Sequence, residues 1–195
     1  LRLDMIEEFK LDMESNLKIT GTKLAANILG AKNNPSLKYA KIEPPIYECL
    51  QLKNKRLWEF YLNEEFRENK SDIINIAGAE IKIAAGGAHS AIKKYHTDKF
   101  LYFDVSGYYN LIMINFDLLP RSMDQSSKDL YTYMYHEQLK LKKTNPVKRS
   151  MYKTVLLAVF GAMNNEYCDF YDPWKALLVT ITGQLFNCDL LEKLE

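Results

Sequence analysis

The sequence predicts a mixed α/β (α+β) fold, and three features predict it. Several stretches place apolar residues at helical spacing behind Thr, Asp or Asn, residues that cap helix N-termini. One segment, DIINIAGAEIKIAAGG at residues 72–87, alternates apolar and polar side chains about a central Ala-Gly, which reads as a hairpin or two short strands. Another, FLYFDV at residues 100–105, is a continuous aromatic-rich run of the length of one buried strand. With 195 residues, 47% hydrophobic and 26% charged, the chain can bury a core as one ordinary domain or two small subdomains.

Residues 1 to about 70 read as helices in pieces. TGTKLAANILGA opens on Thr20 or Gly21 as a cap, and NKRLWEFYLNEEFRENK at residues 54–70 sets aromatic anchors against a charged face. Between them Pro44 and Pro45 hold the backbone extended, so that stretch is a connector. The strand pair at 72–87 follows. FLYFDV is then expected to be a buried strand that delivers Asp104 to its end, with YYNLIMINF continuing as a turn or helix. From about 126 to 143 and from 146 to 160 two helices are separated by KTNP, whose Asn145 and Pro146 mark a tight turn. They form a helical hairpin spanning about 126–160. DPWKALLVTITGQLFNCDLLEKLE opens with Asp172 and Pro173, suited to a helix N-terminus, and is expected to pack across the Asp104 strand.

Several classes are excluded or weakened. No apolar run reaches the roughly 18 residues of a transmembrane helix. The N-terminus, LRLDMIEEFKLDM, is charged throughout, unlike a signal peptide, so the expected location is cytoplasmic. Cys49, Cys168 and Cys188 are odd in number and widely spaced, which fits reduced thiols and not a zinc site. A net charge of +1 lends no bulk electrostatic support to nucleic-acid binding. A local footprint exists all the same: Lys128, Lys140, Lys142, Lys143, Lys148, Arg149 and Lys153 face only Asp129 and Glu137 in their stretch. The leading Leu1 and the helical LLEKLE at the other end lead us to expect an excised piece of a longer protein.

An acid at the end of an apolar strand, as Asp104 is read to be, can be held rigidly while its oxygens reach a divalent cation. Taken alone, it equally describes a helix cap or a turn residue. The surrounding string, DVSGYYNLIM at residues 104–113, resembles the first catalytic motif of family B DNA polymerases. That motif runs Asp, two residues, then Ser-Leu-Tyr-Pro-Ser and aliphatics. Asp104 falls on its metal-binding aspartate and Tyr109 on its tyrosine, while Gly107, Tyr108, Asn110 and Leu111 depart from it. KTVLLAVFG at residues 153–161 resembles the family's fingers-helix motif, with Lys153 on the triphosphate lysine, Phe160 on the tyrosine and Gly161 on the glycine beside the nascent pair. The usual Asn is Leu157 and the usual Ser or Gly is Ala158.

A third string, AAGGAHS at residues 84–90, resembles the Gly-Gly-x-His-Ser segment of phage-type members, which touches template or primer backbone. Gly86 and Gly87 allow main chain close to phosphate, and His89 and Ser90 can donate hydrogen bonds. A hydrolase built on His89 and Ser90 has no acid partner at a recognisable spacing.

The resemblance implies the following expectations. Residues 84–195 are part of a polymerase palm sheet with a fingers hairpin, and 1–83 a mostly helical linker region after a proofreading exonuclease domain. Asp104 and the carbonyl of Val105 bind metal, one of two magnesium ions set about 3.5 to 4 Å apart for in-line transfer. Tyr109, with Tyr108 beside it, underlies the sugar, and Lys153 with Lys140 or Lys143 neutralises the triphosphate. Partners are a DNA primer-template, dNTP and other replication proteins. The second catalytic strand, Asp-Thr-Asp, occurs nowhere, so the parent is expected to polymerise DNA and this chain by itself not to. The alternative is a non-catalytic nucleic-acid-binding module on a polymerase-like fold.

Overall fold

The structure, a computed structural model, describes residues 1–44, 49–50, 52–62, 71–84, 86–90 and 96–194. Pro45, the second half of the 54–70 stretch and Ala85 of the Gly-Gly string lie outside the described residues. In chain order the elements are α1 (Arg2–Glu8), α2 (Met13–Asn16), α3 (Gly21–Leu29), a 3-10 turn (Pro35–Lys38), α4 (Lys55–Leu62), β1 (Ser71–Ile76), β2 (Ala79–Ala84), β3 (Gly87–His89), α5 (Tyr108–Asn115), α6 (Gln125–Lys140), α7 (Pro146–Ala162) and α8 (Pro173–Leu194). This is an α+β composition. Among the described residues no helix is long and apolar enough to cross a membrane.

The chain divides into two units that interleave along the sequence. The first is Leu1–Lys41 with Met113–Ala176, and the second is Ile42–Ile112 with Leu177–Glu195.

In the first unit, side-chain caps set where the helices begin. Thr20 accepts a bond from the Lys23 amide to open α3, Asp124 from Ser127 to open α6, and Asn145 from Lys148 to open α7. Pro146 occupies the first turn of α7, where its missing N–H costs nothing. With turn residues between them, α6 and α7 make the helical hairpin that KTNP predicts, and α3 packs on both. Leu24 and Leu29 of α3, Tyr131 and Met134 of α6, and Val155, Leu156 and Val159 of α7 are all 2% exposed or less. Each such burial stabilises the fold by about 1.5–3 kcal/mol. Polar ties finish the unit: Glu8 of α1 accepts from Lys148 Nζ at 2.6 Å, and Lys23 Nζ lies 2.7 Å from Asp169.

In the second unit β1, β2 and β3 form an antiparallel meander, with Ile74 opposite Ile81 and Lys82 opposite His89. Alternation decides the buried face: Ile74, Ile76, Ile81 and Ile83 are buried while Asn75, Glu80 and Lys82 are exposed. Ala77 and Gly78 turn the β1–β2 hairpin at φ 52° and 70°, both positive, as a two-residue type I′ turn requires. Leu57, Phe60 and Tyr61 of α4 join this core. The Tyr61 hydroxyl donates to Oε1 of Gln184 at 2.6 Å, and Gln184 Nε2 donates to the carbonyl of Ala84 at 3.0 Å, which pins α8 to the sheet.

The strand expected at FLYFDV is not there. Residues 101–105 carry no regular secondary structure, and Phe100, Leu101, Tyr102 and Phe103 are 67 to 85% exposed. The reason is physical: a strand exists only through a neighbour's backbone bonds, and the described sheet consists of β1, β2 and β3 alone. Apolar composition supplied the propensity without the partner. Accordingly α8 does not pack across a strand bearing Asp104.

Candidate functional site

The residues singled out in the sequence fall on both units. Lys140, Lys143, Lys153, Phe160 and Gly161 belong to the first, and Gly86, Gly87, His89, Ser90, Asp104, Val105, Tyr108 and Tyr109 to the second.

On the first unit they sit on the α6–α7 hairpin. Burial divides α7 into two faces. Met151, Tyr152, Val155, Leu156, Val159 and Ala162 are buried, while Lys153, Leu157 and Gly161, four residues apart, are exposed in one row with Phe160 half-buried beside them. Of the positions matched to the fingers-helix motif, Lys153, Leu157 and Gly161 are therefore on the open face, and Ala158 and Phe160 are half-buried at its borders. Leu157 is 57% exposed, and a Cβ at Gly161 would meet nothing within 4 Å. Arg149 lies one turn before Lys153 on the rim, its Nε enclosed without a hydrogen-bond partner. Lys140 is differently placed, since its Nζ holds Glu137 at 2.6 Å and that bond pushes the lysine pKa up. Lys143 is exposed in the turn.

On the second unit Asp104 and Val105 lie in the exposed segment before α5. The Asp104 carboxylate makes no hydrogen bond or ion pair with the described residues, so it is chemically available. Its surroundings do not complete a metal site. Among the described residues no three His, Cys, Asp or Glu side chains converge where a cation could sit, and one carboxylate with one carbonyl falls short of the six ligands magnesium prefers. These residues alone do not fit a two-magnesium centre.

Behind Asp104, α5 begins with two tyrosines in different environments. Tyr109 is 38% exposed. Tyr108 is half-buried, and its hydroxyl donates to the carbonyl of Gly183 at 2.6 Å and lies 3.1 Å from Oδ1 of Asn187. Burial, reinforced by Tyr109 and Cys188, pushes the Tyr108 hydroxyl up to about 12, so it remains a proton donor at neutral pH. The two rings lie 6.0 Å apart, tilted 32°. Gly183 and Asn187 were not singled out in the sequence. A glycine inside the apolar run VTITGQL was the available signal, since a helix-interior glycine generally has a packing reason.

The Gly-Gly string lies at the sheet edge. Gly86 is a turn residue, Gly87 and His89 bound β3, and His89 is exposed. Ser90 Oγ donates to the carbonyl of Glu80 at 2.7 Å, which ties the end of β3 to β2 and engages the hydroxyl that a hydrolase would need. Compared with protein-family models, with curated proteins and with solved structures, the chain matches none.

Proposed function

We propose that this chain is part of a DNA-directed DNA polymerase of the phage type of family B, contributing the nucleotide-gripping helix and the first catalytic aspartate. What supports the reading most is the make-up of α7. The face that carries Lys153, Leu157 and Gly161 is open, with Phe160 half-buried at its border and Ser150 and Thr154 exposed on the same side, while the opposite face is buried in the first unit. On this reading Lys153 neutralises the triphosphate as a compact point charge, and Gly161 leaves room for the base pair. Tyr109 lies under the sugar, and the Gly86-Gly87-His89-Ser90 edge touches backbone phosphate. Because Asp104 is one carboxylate and two magnesium ions need more, the chain by itself binds nucleotide and DNA weakly and transfers nothing.

The test is templated primer extension with magnesium, run on the product of the whole reading frame that contains this sequence, on its Asp104→Ala variant, and on the 195-residue chain. Extension by the first only, with Asp104→Ala folded and silent, is the expected result. Extension that survives Asp104→Ala would contradict it. A second reading, a non-catalytic nucleic-acid-binding module, is favoured by Leu157 standing exposed where the motif has Asn. It requires the whole product to bind DNA and extend nothing.

A further inference from the structure

The contact between α5 and α8 in the second unit leaves no slack. A Cβ built on Gly183 would stand 3.1 Å from Cε1 of Tyr108 and 3.3 Å from Cδ1 of Ile112, tighter than side chains normally tolerate. A Cβ there would require the Tyr108 ring or the Ile112 side chain to give by a few tenths of an ångström, and glycine, a poor residue for a helix interior, avoids that. The closeness has a use. It brings the Tyr108 hydroxyl to the Gly183 carbonyl at 2.6 Å and to the Asn187 amide at 3.1 Å, so the ring is gripped at its tip and along its edge. The Tyr109 ring lies against it at 6.0 Å between centroids. That separation, with a tilt of 32°, is within the range of an aromatic pair.

We propose that Gly183 and Asn187 hold Tyr108 as a fixed buttress for Tyr109, and that this α8 pair thereby sets how strictly the enzyme distinguishes deoxyribose from ribose. The inference rests on reading Tyr109 as the residue under the incoming sugar. Gly183, Asn187 and Tyr108 are positioning residues in it. The resemblance that sets Tyr109 under the sugar also implies that its ring excludes a ribose hydroxyl by sterics; such a filter works only if the blocking ring cannot retreat, and small displacements of a positioned group carry large effects on reaction.

The experiment measures kcat and KM for single incorporation of a dNTP and the matching rNTP by the whole reading-frame product. It compares wild type, Gly183→Ala, Tyr108→Phe, Tyr108→Leu and the double variant Gly183→Ala/Tyr108→Leu, each checked for folding by circular dichroism. Gly183→Ala should lower the dNTP-over-rNTP ratio of kcat/KM about tenfold, mainly through a lower KM for the rNTP, and Tyr108→Phe, which keeps the ring and loses its bond, about threefold. In the Tyr108→Leu background, adding Gly183→Ala should lower the ratio by much less than it does in wild type, because the nearer of the two groups it crowds, the Tyr108 ring, is gone and only Ile112 Cδ1 remains. Equal losses for both sugars, with the ratio unchanged, would show mere structural support and overturn the proposal. Should Gly183→Ala not fold, an unchanged ratio in the near-isosteric Tyr108→Phe overturns it equally. A wild type that extends primers while its variants keep the ratio sinks this inference alone; a wild type that extends none sinks the polymerase reading and this inference with it.

Discussion

Arg121 closes on Asp172 through two side-chain bonds, Nε to Oδ2 at 2.8 Å and Nη2 to Oδ1 at 2.7 Å, around a carboxylate with no exposed surface. The backbone amides of Arg121 and Lys175 complete its shell, and the remaining guanidinium nitrogen reaches the carbonyl of Ala40. Removing the guanidinium leaves a buried charge without its counter-ion, which costs about 3–5 kcal/mol. Arg121→Met should lower stability by that amount in urea denaturation, and Arg121→Met/Asp172→Leu should recover much of the loss. A cost under about 1 kcal/mol for the single variant would mean the pair does not organise the first unit.

The β1–β2 turn makes a second prediction. Ala77 holds φ 52°, a conformation in which its Cβ is strained, next to Gly78 at φ 70°. Ala77→Asn converts the turn to Asn-Gly, the favoured type I′ pair, and should stabilise the hairpin by about 0.5–1 kcal/mol. Thermal unfolding of the variant checks this, and an unchanged or lower Tm would refute the turn assignment.

A third concerns acid. The hydrogen bond from Arg56, with Nε 2.6 Å and Nη2 2.8 Å from the Asp72 oxygens, holds the Asp72 carboxyl below its ordinary 3.8. A pKa lowered by folding adds stability above the unfolded value, and that stability disappears as pH falls through the folded value. The stability difference between wild type and Asp72→Asn should therefore be constant above about pH 5 and shrink on acidification below about 4. A difference that grows toward low pH would contradict the sign.

The exposed run at residues 100–103 supplies the fourth. Leu101 is 85% exposed and belongs to no buried contact, so Leu101→Glu should leave urea stability within about 0.5 kcal/mol of wild type. It should also reduce self-association in sedimentation, because four adjacent exposed apolar residues form a sticky patch. A large loss of stability would show that the run is packed.

How far the sequence could be read follows from which signals are local. The helix starts at Thr20 and Asn145, the Ala77–Gly78 turn and the helical hairpin were legible because each is decided by residues within a few positions. Asp104's strand was misjudged because pairing is non-local: FLYFDV has strand composition, but no neighbour among the described strands bonds to it. The interleaved units escaped for the same reason, since ties such as Lys23 to Asp169 join residues 146 apart in sequence. On α7 the spacing of Lys153, Leu157 and Gly161 already placed them on one face; only the packing of the opposite face reveals that theirs is the open one. Gly183 was visible as an oddity, and its reason, the Tyr108 ring, was not.

Titrating the 195-residue chain with a fluorescent deoxynucleoside triphosphate tests whether the open face of α7 holds the triphosphate. Binding should be measured by anisotropy for wild type, Lys153→Ala and Lys142→Ala, at low and raised salt. Lys153→Ala should raise Kd about tenfold, the size of one charged contact to phosphate, while Lys142→Ala in the turn should change it less than about twofold. Wild-type affinity should also fall as salt rises. Equal weakening by both variants, or a Lys153→Ala chain that binds as wild type does, would contradict the assignment of this face to the triphosphate.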